Sequence, residues 1–193
     1  MLGETLIIRT IDGSPPEGLI LKPGRTFVGN AVALDLEHDE RLDIANQIHG
    51  ITVAEQNNME IVSEEEILTS MNQGKTVLKL GENNEVLGFA QLSEDDLDFR
   101  RIVVRTLLGI RHPEYKNGSG GWALENAAEL ALTSLKFPGA REVFTRVKGD
   151  NYSPQRLVTG MGGELISEIP SPKTGRQVKI YDVTQLGLRR KKI

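Results

Sequence analysis

"HPEYKNGSGGWALENAAELAL", residues 112–132, sets a proline, a tyrosine, a lysine and a run of glycine and serine directly against an alanine-rich helical pattern. A helix N-terminus offers unpaired N–H groups and a partial positive charge, and glycines let a ligand approach the backbone, so this junction suits an anion. A flexible connector that happens to precede a helix accounts for the same residues, and the segment alone leaves both readings open. Leu124, Ala128, Ala131 and Leu135 recur at helical spacing, which predicts one packed face built largely of small residues.

The flanking segments give the junction an address. Before it, "RRIVVRTLLGIR" (100–111) is long, β-branched and apolar enough for an interior strand, and Gly109 near its end marks either a bulge beside a ligand or a packing requirement. After it, "REVFTRV" (141–147) reads as another strand. Strand, glycine-rich loop, helix and strand in succession make a right-handed crossover, with the loop at the C-terminal end of the first strand, where open sheets bind ligands.

Further out, apolar positions from Leu34 to Ile48 predict a helix over 35–49, ended by His49 and Gly50. "SEEEILTSMNQG" (63–74) predicts a short helix: Ser63 and Glu66 form a capping box, Glu64 and Glu65 complement the positive end, and Gly74 stops it. "TVLKL" and "EVLGFAQL" around "GENN" predict a hairpin. "SPQRLVTGMGG" (153–163) reads as a helix with Ser153 as N-cap and Pro154 at its first position, and "ELISEI" and "RQVKIYDV" as two last strands. Residues 1–31, with "TLIIRT" and "GLILK", read as an N-terminal extension or hairpin packed on a domain of residues 32–193. The class is α+β (mixed α/β).

A chain of 193 residues suits one domain, and 38% apolar with 26% charged residues is a globular composition. No apolar run approaches the ~18–20 residues of a membrane span, and "MLGETLIIRTIDG" lacks the pattern of a secretory signal, so a cytoplasmic protein without membrane attachment is expected. The absence of cysteine excludes disulfides, thiolate metal sites and cysteine nucleophiles. Net charge is −4, and setting aside the terminal Arg189, Arg190, Lys191 and Lys192, read as a solvated tail, leaves 19 basic against 27 acidic residues. Such a field repels phosphates at long range and argues against nucleic acid as a partner. His38, His49 and His112 have no helical i, i+4 partner, so no metal is expected.

Phosphate-cradling loops differ in their residues. Neither Gly74-Lys75 nor Gly175-Arg176 stands in a G-x-x-x-x-G-K-[ST] context, and Gly118, Gly120 and Gly121 are followed by a helix with no third spaced glycine, so neither the triphosphate nor the dinucleotide pattern fits. The segment from Ile110 through Glu125 resembles the acyl-CoA-binding motif of the GNAT-type N-acyltransferase superfamily. "HPEYKNGSGGWAL" matches its Pro-acidic-Tyr lead-in and helix, with Lys116 at the basic position, Ser119 at the first glycine and Gly121 at the second. "VKGDNYSPQRLVTGMGG" is similar to the family's strand, Asp-Asn pair (Asp150, Asn151), apolar helix position (Leu157) and terminal glycine (Gly162). The resemblance covers roughly residues 33–183 and implies a central mixed, mostly antiparallel sheet flanked by helices.

It also implies a chemistry: transfer of an acyl group from acetyl-CoA or another acyl-CoA to an amine of a small molecule or protein. Asn117, Gly118, Ser119, Gly120, Gly121 and Trp122 would surround the pyrophosphate with Lys116 beside them, Ile110 and Arg111 would meet the pantetheine arm, and Asn151 would hold that arm or nearby backbone. Arg111 replaces an apolar strand residue, and either an acidic substrate or an outward orientation explains it. The family's usual acid, a tyrosine one position after the matched Leu157, is here Val158, and Gly163 replaces the aromatic after Gly162. Tyr152 is a candidate substitute acid. Asp98, His112 and glutamates of the first two helices are the candidate bases, and the catalytic residues remain unassigned. Loss of the tyrosine also motivates a module that binds CoA or a partner without turnover. A homodimer stays open.

Overall fold

A computed structural model describes residues 26–28, 36–54, 56, 60–80, 84–95, 98–107, 119–171 and 175–190. In chain order these form β1 (Thr26–Val28), α1 (His38–Ala54), α2 (Glu64–Asn72), β2 (Thr76–Leu80), β3 (Val86–Asp95), β4 (Asp98–Leu107), α3 (Ser119–Thr133), β5 (Glu142–Lys148), α4 (Tyr152–Gly160), β6 (Glu164–Pro170), β7 (Gln177–Asp182) and α5 (Thr184–Arg190). The seven strands make one sheet in the order β1-β2-β3-β4-β5-β7-β6. Every neighbouring pair is antiparallel except β4–β5, which is parallel, as the strand–loop–helix–strand succession requires. The α+β class with a mixed, mostly antiparallel sheet is the architecture found.

Alternation along the strands builds two cores. Val77, Ala90, Leu92, Ile102, Val104, Val143 and Val147 face α3, where Ala123, Ala127, Ala128 and Ala131 form a narrow seam with Leu124 that lets the helix lie close on the sheet. Leu78, Leu80, Val86 and Phe89 face the other way, against Ile44, Ala45 and Ile48 of α1 and Ile67 and Met71 of α2. Small residues on α3 cost little side-chain entropy and leave the sheet to supply the bulk. Among the described residues no helix is long and apolar enough to cross a membrane.

Several local expectations hold in detail. The Ser63 hydroxyl accepts from the Glu66 N–H at 3.2 Å and caps α2, and Gly74 takes φ 71° just past its end. Others are corrected. Helix α1 passes through His49 and Gly50 to Ala54, held by contacts that sequence spacing does not reveal: the His49 Nδ1 meets the Val62 carbonyl at 2.8 Å, and the Thr52 hydroxyl accepts from the Val62 N–H at 3.2 Å. Leu135 lies beyond the end of α3 and is 69% exposed, so it is not part of the packed face. Asn151, not Ser153, is the N-cap of α4, which puts Pro154 at the third helical position. Arg189 and Arg190, read as part of the terminal tail, lie within the last helix, with Arg189 exposed. They close α5, and Arg189 Nη1 donates to the Met161 carbonyl at 3.0 Å. The reading of residues 1–31 falls almost wholly outside the described residues, Thr26–Val28 being the edge strand beside β2.

Helix α5 can lie against α3 because Gly187 has no side chain. A Cβ there would stand 2.6 Å from the Ala128 carbonyl oxygen and 2.7 Å from its carbon, both fixed backbone. Gly187→Ala is expected to lower stability by about 1–3 kcal/mol through overpacking. Gly50, in the interior of α1, is the opposite case, since a methyl added there would meet nothing within 4 Å. Gly50→Ala is expected to raise stability by about 0.5–1 kcal/mol. Urea denaturation of the two variants beside the native chain checks both signs.

Candidate functional site

The parallel pairing of β4 with β5 matches Arg101 to Glu142, Ile102 to Val143, Val103 to Phe144 and Val104 to Thr145, and there it stops. Both strands continue. Beyond Val104, β4 keeps pairing with β3 as far as Leu107 against Phe89, and beyond Thr145, β5 keeps pairing with β7 as far as Lys148 against Val178. Among the described residues the sheet therefore forks between β4 and β5 at their C-terminal ends, leaving facing backbone edges without each other. At the crotch the buried Thr145 hydroxyl donates to the Val104 carbonyl at 3.0 Å, adding a side-chain hydrogen bond at the last paired position.

Helix α3 begins on the same end of the sheet, since it follows β4 and returns the chain to β5. Ser119, Gly120, Gly121 and Trp122 are its first turn, so their backbone N–H groups lack intrahelical partners. Helices α1 and α2 carry acids in their first turns, Asp39 and Glu40 in one and Glu64, Glu65 and Glu66 in the other, whereas the first turn of α3 carries none. Gly121 is buried where α4 crosses: a Cβ would lie 3.1 Å from the Met161 Sδ and 3.7 Å from the Leu157 Cδ1. Its small size thus has a packing reason as well as the proximity argument drawn from sequence, and a bulky residue at this position disturbs the α3–α4 contact together with anything bound nearby.

The far prong of the fork leads from Lys148 through Gly149 and Asp150 to Asn151. Gln155 of α4 ties this turn down, donating from Nε2 to the carbonyls of Lys148 and Gly149 at 3.1 and 2.9 Å. Asn151 caps no N–H with its side chain. Pro154 at the third helical position removes one of the two N–H groups that such a cap could use. A half-buried amide is kept out of the helix's own hydrogen bonding at the end of β5. Beside it, Lys148 Nζ donates to the Gln56 carbonyl at 3.2 Å, bringing the α1–α2 connection to the same end. Tyr152, the first residue of α4, is 70% exposed.

The candidate acid and base residues fare differently. Asp98 is at the opposite end of β4 from the fork, where its carboxylate accepts from the Arg100 backbone N–H at 3.0 Å and from that side chain's Nε and Nη2 at 3.1 Å each. The Arg100 side-chain hydrogen bonds, followed by its backbone N–H, hold the Asp98 carboxyl below the usual carboxylate range. A carboxylate so placed and so held is a poor base, and Asp98 drops from the candidates. Val158 is fully buried within the α3-side core, and a Cβ on Gly163 would come within 2.5 Å of its Cγ1. That position has been given over to packing. Ile110, Arg111, His112, Lys116, Asn117 and Gly118 lie outside the described residues, as does the expected bulge at Gly109. Among the described residues no group of three or more His, Asp and Glu side chains could hold a metal ion. The fork itself escaped the sequence reading, the one local signal being Thr145, a hydroxyl set between two valines on a buried strand.

No family model matches the chain, and no curated protein sequence does. Solved structures do. The chain is similar to a GNAT-family acetyltransferase from Bacillus cereus, at 16% identity over 73% of this chain and 90% of that one, with TM-score 0.56. It is similar to a Salmonella typhimurium protein with its cofactor acetyl-CoA, at 13% identity over 77% and 90% of the two chains, TM-score 0.57. A third likeness is to spermidine N-acetyltransferase from Vibrio cholerae in complex with CoA and spermine, at 13% identity over 79% and 95%, TM-score 0.56. The fold is that of the GNAT-type acetyltransferases, as the resemblance of the two motifs implied.

Val158 is fully buried, so a tyrosine in its place has to be fitted into a closed core. Val158→Tyr is expected to cost about 1–3 kcal/mol by overpacking, seen as a lower thermal midpoint. Thr145→Val, which removes this side-chain hydrogen bond to the Val104 carbonyl, is expected to cost about 0.5–1.5 kcal/mol in urea denaturation.

Proposed function

We propose that this chain is an N-acyltransferase, moving an acetyl or other short acyl group from acyl-CoA to an amine of a small molecule or protein. The observation that carries the reading is the fork, where one parallel strand pair stops at Val104 and Thr145 while both strands run on. A pantetheine arm is a chain of amides, and amides can complete a strand edge as a peptide does. Ile110 and Arg111 continue β4 in sequence toward that arm. The pyrophosphate takes the unpartnered N–H groups at the start of α3, with Asn117, Gly118, Ser119, Gly120, Gly121 and Trp122 around it and Lys116 beside it. Asn151 holds the arm from the β5 side. Acetyl-CoA and CoA in two of the similar structures support the donor.

In the transfer the neutral amine attacks the thioester carbonyl. The carbon–nitrogen bond forms, the carbon–sulfur bond breaks, and the proton shed by nitrogen ends on the departing thiolate. A thiol with an ordinary pKa near ~8.5 is a fair leaving group at neutral pH, so its protonation is helpful rather than indispensable. Tyr152, exposed just after β5, is the phenol that this reading assigns to supply that proton. The buried Val158 favours one competing reading, a module that binds CoA without turnover.

Isothermal titration with acetyl-CoA, followed by thiol release across an amine panel, separates the two: binding with release supports the enzyme, binding without release supports the module, and no binding removes both. Gly120→Glu is a cleaner probe of the cradle than any change at the packed Gly121. It is expected to weaken acetyl-CoA binding at least tenfold while leaving circular dichroism unchanged. Tyr152→Phe is expected to lower kcat roughly tenfold or more with acetyl-CoA affinity intact, within the usual range for loss of a general acid.

A further inference from the structure

We propose that the cavity between α2 and β3 anchors an ammonium group of the acceptor, which makes the acceptor an amine bearing a second cationic group. The cavity measures about 410 Å³, and Glu65, Glu66, Ser70, Lys75, Gln91 and Glu94 are among the residues that line it. Three carboxylates face one cation, and the Lys75 Nζ is engaged over the Phe137 ring, 5.8 Å from its centroid. Glu65 and Glu94 form no ion pair among the described residues.

Carboxylates on a surface need no ligand, but Gln91 adds an independent indication. It is only 7% exposed, its Nε2 donates to Glu66 Oε1 at 3.3 Å, and its Oε1 is buried without a hydrogen-bond partner. The group lacking a partner is an acceptor, and the carboxylates around it are acceptors too. Once the Gln91 amide turns toward the cavity, what completes such a set is a ligand made of donors alone, and an alkylammonium has three donors and no acceptor. An anion or a neutral acceptor would meet repulsion and leave Gln91 Oε1 as it is. The negative net charge of the chain draws in the same class of ligand.

Position connects the cavity to the transfer. Gln91, Leu92 and Ser93 are in register with Arg105, Val104 and Val103, so the β3 residues that line the cavity are level with the crotch of the fork, on the strand next to β4, about 4.8 Å from it. An amine seated in the cavity is held by the carboxylates, so it is a second amine on the same molecule that the fork would receive. The assignment of this molecule as acceptor rests on the proposed acyl transfer; the cation site itself does not.

The test uses the full chain. Titration with 1,6-diaminohexane, without CoA, is expected to show saturable binding that weakens at least tenfold in Glu65→Gln/Glu94→Gln, two exposed changes that leave the fold intact, and likewise in Gln91→Leu. With acetyl-CoA present, 1,6-diaminohexane is expected to release thiol at least tenfold faster than hexylamine, which can occupy the cavity but offers no second amine. Absence of diamine binding, or binding that both variants leave unchanged, overturns the cation site. Equal rates with hexylamine overturn its role as anchor. Variant-sensitive diamine binding by a chain that fails to bind acetyl-CoA keeps the cation site and sinks the proposed transfer.

Discussion

One parallel contact organises this molecule. In a sheet otherwise made of antiparallel neighbours, β4 and β5 run the same way, so the chain has to leave the end of β4 and travel back across a face before β5 can begin. Helix α3 is that return. Its alanine seam sets how closely it lies on Ala90, Leu92, Ile102 and Val104, and its first turn is thereby fixed at the C-terminal end of the strands. The same contact is short, and its early end creates the open edges on which the functional reading depends. Fold and site are thus consequences of a single pairing, one through its direction and the other through its length.

Much of this was legible in the sequence because it is local. The β2–β3 hairpin, the capped α2, the interior strand β4 and the helix after the glycine-rich loop all announce themselves through alternation, caps and spacing within a dozen residues. Two motifs in order and spacing also pointed to the fold. What stayed hidden depends on distant partners. The extension of α1 past Gly50 is held by Val62 on another segment, the register of β4 on β5 joins residues some forty positions apart, and α5 exists because Gly187 finds Ala128. The cap of α4 was misplaced for a subtler reason: Ser153-Pro154 satisfies the usual pattern, but the helix starts earlier, and the proline removes one of the donors that Asn151 could otherwise use.

The chemistry divides along the same line. A strongly hydrogen-bonded carboxylate such as Asp98 belongs to the stability of a hairpin end, and its separation from the fork could be learned only from topology. Val158 shows the converse. The resemblance set a phenol at this position, and the complete burial of the valine shows packing closed around a small apolar side chain.

The brevity of the β4–β5 contact has a mechanical side. Strands β1 to β4 and strands β5 to β7 are each sewn together by antiparallel ladders, most of them between neighbours in the chain, yet the two sets share only four paired positions. The Arg101–Glu142 ion pair at the closed end, 2.8 Å long but nearly half exposed on both sides, adds little stiffness. The sheet is therefore two rigid leaves on a narrow spine, with α3 laid across them as a brace. With so few bonds across the spine, the angle between the leaves, and with it the width of the fork, depends on the helix that braces them more than on the ladders.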